Sequence, residues 1–212
     1  MTDRPILMSA PMVRACLDGS KTQTRRAIKK QPDAALVSAA RLVDKVWCWL
    51  SGHDGSIAAK ILGHGRCPYG QPGDRLWVRE TWAYNPDFGH NIHFICYRAD
   101  PGCEYDVPKW RPSIHMPRGA CRIELEVAGV RVERLQEISE ADAIAEGIEP
   151  IKSYPGRWKN YLAPSMWDVP LLMSACTEPW LSYGSLWDSI NGAGAWDANP
   201  WVWVVEFKRV KP

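Results

Sequence analysis

Apolar and polar positions alternate most clearly near the two ends of the chain. Close to the start, "RPILMSAPMVRACLDGSK" reads as a short strand followed by a helix. Met12, Ala15 and Cys16 recur at the i, i+3, i+4 spacing of one helical face. Ser9 stands where a helix cap belongs, and Pro11 falls in the first turn, where its missing N–H costs nothing. Gly19 supplies a left-handed stop. "TQTRRAI" then reads as a strand with Thr22, Thr24 and Arg26 on one face. "GDRLWVRETWAY" is a strand opened by a Gly-Asp turn, with Leu76 and Val78 pointing one way and Trp77 and Arg79 the other. "NIHFICYRAD" is a further strand, and "CRIELEVAGVRVERL" reads as one or two strands broken at Gly129. In "WVWVVEFKRV", Val202 and Val204 share one face while Trp201, Trp203, Val205 and Phe207 share the other. Apolar character on both faces marks a central strand.

Two helices separate these strands. "SEADAIAEGI" is capped by Ser139, carries Asp142 at the capping-box position and ends at Gly147. "YGSLWDSIN" is the other. Residues 31–72 and 149–182 follow neither period. Within the first stretch, "QPDAALVSAARLVDK" reads as helical, while "VWCWLSGHDGS" and "ILGHGRCPYGQPGD" are glycine-rich and read as loops. Both stretches read as loop-rich insertions in a smaller core. About six strands with short flanking helices place the chain in the α+β class, as a small, partly closed β-barrel. A length of 212 residues fits a single domain spanning 1–212.

Composition narrows the function classes. Hydrophobic residues at 46% and charged residues at 24% are ordinary for a soluble globular chain. A net charge of +2 is too balanced to imply a polyanionic partner by itself, so any nucleic-acid surface must come from local clustering. The 12 Trp against 3 Phe stand out, because indoles suit both cores and base-stacking surfaces. Seven Cys without paired spacing suggest a reducing compartment. "MTDRPILMSAPMV" lacks the pattern of a secretory leader, and no apolar run reaches the ~18 residues of a membrane helix. A cytoplasmic protein with no membrane partner is expected.

The stretch with the most chemistry is "LDGSKTQTRR". A lysine acting as a base near neutrality needs its pKa lowered by about 3 units, and both like charges and burial push that way. Arg25 and Arg26 are close enough in sequence to supply such charge to Lys21. Thr24 would then be the activated hydroxyl, with Thr22 an open alternative on the same face. In a regular strand residues 21 and 24 point to opposite faces, so Lys21 must sit in the turn or be re-aimed by a bulge. An ordinary helix stop followed by good strand formers would carry the same letters.

Two further clusters stand out. Cys48, His53, His64 and Cys67 have zinc-ligand chemistry, but their C-x4-H-x10-H-x2-C spacing matches no standard finger, so neither metal nor cofactor is expected. "KWRPSIHMPRGACR" interleaves Lys109, Arg111, Arg118 and Arg122 with Trp110 and His115. That is the pattern of a cationic groove with a stacking platform for nucleic acid, and equally of a solvated loop.

"GSKTQTRR", "GDRLWVRE" and "LQEISEADAIAEGI", in that order, resemble the ASCH domain, a PUA-like β-barrel family. With "VWVVEFKRV" the matching blocks cover about half of the chain. Small bacterial ASCH amidohydrolases that deacylate N4-acetylcytidine share a G-x-K-T-x-T-x-R stretch, a Gly-Asp strand start and a Glu near the end of a short helix. The resemblance implies that Lys21, Thr24 and Glu146 are catalytic, with Glu146 passing a proton to the leaving amine. Backbone N–H groups near Gly19 to Thr22, or Arg26, would stabilise the oxyanion.

Thr22, Arg26, Trp77, Arg79 and Glu80 are the expected substrate contacts. Arg79 and Glu80 equally suit a cross-strand ion pair, and Trp77 and Trp82 equally suit a core. With "CPYGQPGDRLWVRETW" and "SLWDSIN", the full-length pattern is most similar to larger, mostly uncharacterised ASCH proteins of phages and prophages, which implies the bacterial host cytosol if the chain is phage-encoded. The chain is longer than the small enzymes, and its insertions can reshape a pocket. The expected partner is therefore a modified nucleoside, or RNA or single-stranded DNA. The alternatives to an amidohydrolase are a PUA-like binding module using Lys109, Trp110, Arg111 and Arg118, or a nuclease. The oligomeric state is left open.

Overall fold

A computed structural model describes residues 2–31, 39–43, 46–51, 60–85, 94–102, 107, 109–163 and 174–210. In chain order the elements are β1 (Asp3–Leu7), α1 (Ala10–Asp18), β2 (Gln23–Ala27), β3 (Ala39–Val43), β4 (Val46–Ser51), β5 (Lys60–Gly65) and β6 (Arg75–Arg79). They continue with β7 (Trp82–Asn85), β8 (Phe94–Tyr97), β9 (Glu124–Arg134), α2 (Glu140–Ala145), α3 (Pro179–Asn191) and β10 (Trp201–Val210). The class is mixed α+β. A five-stranded sheet runs in the order β1-β6-β9-β10-β2, beside a three-stranded sheet β3-β4-β5 and a hairpin β7-β8. Among the described residues the five-stranded sheet is open, with β1 and β2 at its edges, where a partly closed barrel was expected. No helix among them is long and apolar enough to cross a membrane.

The chain forms two compact units. The first comprises Met1–Thr22, Tyr69–Gly129 and Phe207–Pro212, and the second comprises Gln23–Pro68 and Val130–Glu206. In the first unit, α1 opens with a proline in its first turn. Ser9 sits at the cap position through its backbone alone: its carbonyl accepts from Val13 N–H at 2.9 Å, and its side chain makes no capping bond. Gly19 ends the helix at φ 84°, a conformation that favours glycine. The expected alternation holds in β6, with Leu76 and Val78 buried and Trp77 and Arg79 half-buried. The turn before β6 is fastened by Asp74, which accepts from Thr2 N–H at 2.8 Å and Gln71 N–H at 3.2 Å. Gly70 is required there: its φ is 104°, and a Cβ would stand 2.8 Å from the Asp74 carboxylate.

In the second unit, β10 lies between β9 and β2 and buries Trp201 through Val205 continuously, as the two-sided apolar pattern demands. Trp47 and Trp49 of β4 meet Trp201 and Trp203 with ring centroids 6.2–6.3 Å apart. These contacts explain why residues 39–43, 46–51 and 60–65 differ from the expected helix and loops. "AARLV" and "VWCWLS" are held as strands because the tryptophans of β4 bury against β10, which outweighs local helix preference. β9 runs unbroken through Gly129. α2 starts at its expected cap, with Asp142 N–H donating to Ser139 Oγ at 3.1 Å. α3 begins four residues earlier than the pattern suggested, because Pro179 is accommodated in its first turn.

Candidate functional site

The densest arrangement of buried polar groups in the second unit centres on Arg25 of β2. Its side chain has no solvent exposure. Nη1 donates to Glu146 Oε1 at 3.1 Å, Nε donates to Glu133 at 3.1 Å, and Nη2 is shared between Glu133 and Asp142, the latter at 3.0 Å. The Tyr183 ring of α3 lies 5.9 Å from the guanidinium carbon. Arg131 grips the same carboxylates from outside, at 2.9 Å from Glu133 and 2.8 Å from Asp142, and also pairs with Glu206. Gln23 donates to the Asp142 carbonyl at 2.9 Å. Complete burial pushes the Tyr183 phenol well above its ordinary value, and the Glu146 charge adds to that. Burial also works to raise Asp142, but Arg131 and Arg25 outweigh it and hold that carboxyl below its ordinary value.

β2 pairs with β10 in the register Thr24↔Val205 and Arg25↔Val204. Strand parity therefore sends Gln23 and Arg25 to one face and Thr24 and Arg26 to the other. Glu146 stands on the Arg25 face through its ion pair. Thr24, at 0% exposure, has a buried hydroxyl with no hydrogen-bond partner among the described residues. Arg26 is half-buried and donates to the Arg25 carbonyl at 3.1 Å. Glu146 is 1% exposed at the C-terminal cap of α2.

In the first unit, Lys21 follows the α1 stop. Its N–H donates to the Ala15 carbonyl at 2.9 Å, and the residue is 2% exposed. Thr22 is exposed, and its carbonyl accepts from Phe207 N–H at 2.8 Å. Arg79 donates to the carbonyls of Met116, at 3.1 Å, and Ile114, and lies 5.2 Å over the Trp77 ring. Glu80 is buried and takes a two-pronged ion pair from Arg122 at 2.9 and 3.0 Å. Arg79 thus has carbonyl partners, while Glu80 makes the ion pair that was one option, with Arg122 just ahead of β9. Arg122 also reaches Asp100 and lies 4.0 Å over Tyr97. Burial pushes the Glu80 carboxyl up, more than Arg122 pulls it down. Trp82 is core, packed with Met116 and Ala120.

The residues expected to meet nucleic acid divide into two groups. Arg111 pairs its backbone with Trp82, and its exposed guanidinium lies 5.2 Å from both the Trp82 and Tyr84 rings. Lys109 is exposed beside it in sequence and Trp110 is half-buried. Arg118 instead pairs with Asp3 and Glu124 while lying 5.6 Å over Trp77. Of the zinc-type residues, His53 lies outside the described residues, as does the His64 side chain. Among the described residues, no group of three or more His, Cys, Asp or Glu side chains is arranged to hold a metal.

Sequence reasoning singled out Glu146 but read Arg25 only as a like charge beside Lys21. The missed signal was a set of carboxylates at Glu133, Asp142 and Glu146, whose spacing along the chain shows no relation to Arg25. No family model, curated protein or solved structure matches this chain.

Proposed function

We propose that the chain is an amidohydrolase of the ASCH, PUA-like type, acting on an acylated or otherwise modified nucleobase or nucleoside of the N4-acylcytidine kind. The observation that supports it is the burial of Lys21, Thr24 and Glu146, at 2%, 0% and 1% exposure. A lysine after a helix stop and a glutamate at a helix end are ordinarily solvated. Removing such charges from water is costly, and strongly desolvated titratable groups concentrate where chemistry is done. Thr24 adds a buried hydroxyl with no partner among the described residues, whereas Thr22 is exposed. On this reading the open five-stranded sheet is the core of the barrel, and the site of action is the cytosol of a bacterial host.

The test is hydrolysis of N4-acetylcytidine. Wild type should turn it over, and Lys21→Ala should lower kcat by ~10²–10⁴-fold with KM within a few-fold, because the lost interaction belongs to the transition state. Thr24→Val should behave like Lys21→Ala, and Thr22→Val like wild type. No turnover of any acylated cytidine by wild type would remove this reading.

A second reading is supported by Arg111, whose exposed cation rests on two aromatic rings beside Lys109. That is a surface suited to single-stranded RNA or DNA. Oligonucleotide binding at two salt concentrations discriminates. Arg111→Ala should weaken binding and flatten its salt slope by about one unit, whereas Arg118→Ala, already matched by Asp3 and Glu124, should change it less.

A further inference from the structure

We infer that Arg25 is the positioning residue for Glu146, an inference that rests on the amidohydrolase reading. The guanidinium is planar, so fixing two of its nitrogens fixes the direction of the third. Nε and Nη2 are taken by Glu133 and Asp142, which leaves Nη1 aimed at Glu146 Oε1 at 3.1 Å. Glu133 and Asp142 cannot swing across to compete for Nη1, because Arg131 holds both from the other side. The Tyr183 ring lies 5.9 Å from the guanidinium carbon, and no part of the arginine side chain reaches solvent.

Glu146 needs this support. It caps the C-terminal end of α2, where backbone carbonyls make a negative charge unwelcome and a cation favourable. A glutamate held by a buried fork has the plane of its carboxylate set by that fork. Lysine cannot replace the fork, because one ammonium does not reach three carboxylates in a fixed plane.

The experiment combines stability with turnover. Arg25→Lys, Arg25→Ala, Glu146→Gln and the Arg25→Ala/Glu146→Gln double variant are unfolded in denaturant and assayed on N4-acetylcytidine. The unfolding constants of the cycle should be non-additive by about tenfold or more. Arg25→Lys, the variant that keeps the charge, should stay folded with kcat about 10–100-fold below wild type and KM within about threefold. Millimolar guanidinium should restore part of the kcat of Arg25→Ala where urea does not, an effect that a purely structural arginine would not produce at unchanged melting temperature. An additive cycle overturns the inference, and so does Arg25→Lys with a kcat within about twofold of wild type. If wild type hydrolyses no acylated cytidine, the amidohydrolase reading fails on its own, and the cycle alone then decides whether Arg25 holds Glu146.

Discussion

Arg25 and Arg131 pair with Glu133, Asp142, Glu146 and Glu206, in a cluster that is buried at its centre and opens toward solvent at Asp142 and Glu206. Such a cluster is sensitive to acid in a definite direction. Asp142 has its carboxyl held below the ordinary value, so the unfolded chain binds a proton there before the folded one does. Its contribution to stability is present above the ordinary carboxyl range and is lost as pH falls through the lowered folded value. The melting temperature should therefore drop below about pH 4, and less steeply in Asp142→Asn. Identical slopes in thermal scans across that window would contradict this assignment. Lys21, Thr24 and Glu146 were singled out in the sequence through the resemblance of the motifs around them, and all three are buried. Arg25 was not singled out, since its partners at Glu133 and Asp142 lie 108 and 117 residues away. A cation next to another cation reads as repulsion until the fold supplies the anions.

Helix α3 carries a glycine with a packing reason. A Cβ on Gly184 would stand 3.1 Å from the ring of Trp196. That ring cannot easily give way, because Trp196 N–H donates to Asp188 at 2.7 Å and its ring meets Tyr183 edge-on at 6.2 Å. Alanine gains ~1 kcal/mol of helix propensity and loses ~1–3 kcal/mol to overpacking. Gly184→Ala should thus be net destabilising by about 1 kcal/mol, seen as a lower denaturant midpoint at unchanged slope. A raised midpoint would mean that the ring moves freely. Among the elements, α1, β6, α2 and β10 were legible because their caps and periods are local. β3, β4 and β5 were not. Their strand form depends on Trp47 and Trp49 finding Trp201 and Trp203, about 150 residues further along the chain, and glycines at positions 63 and 65 read locally as loop. α3 was placed late because a proline at its start looks like a break until it is recognised as a first-turn residue.

At the scale of the molecule, neither unit is a continuous piece of chain. The first is assembled from three segments, and its last begins at Phe207, whose N–H donates to the Thr22 carbonyl at 2.8 Å. A fragment of residues 1–129 holds most of the first unit but lacks that segment. It should show no cooperative unfolding transition, whereas the full chain should show one, as read by circular dichroism in denaturant. A sharp transition in the fragment would show that β10 is dispensable to the first unit. The sheet order carries a further consequence, for synthesis. Among the described residues β2 pairs with β10 alone, so the strand made at residue 27 waits for that partner until residue 202 has been polymerised. At ~5–20 residues per second that is a wait of roughly ten to forty seconds. Throughout it, Gln23, Thr24 and Arg25 lack the strand they pair with, and the arginine–carboxylate cluster gains Glu206 only once β10 has been made.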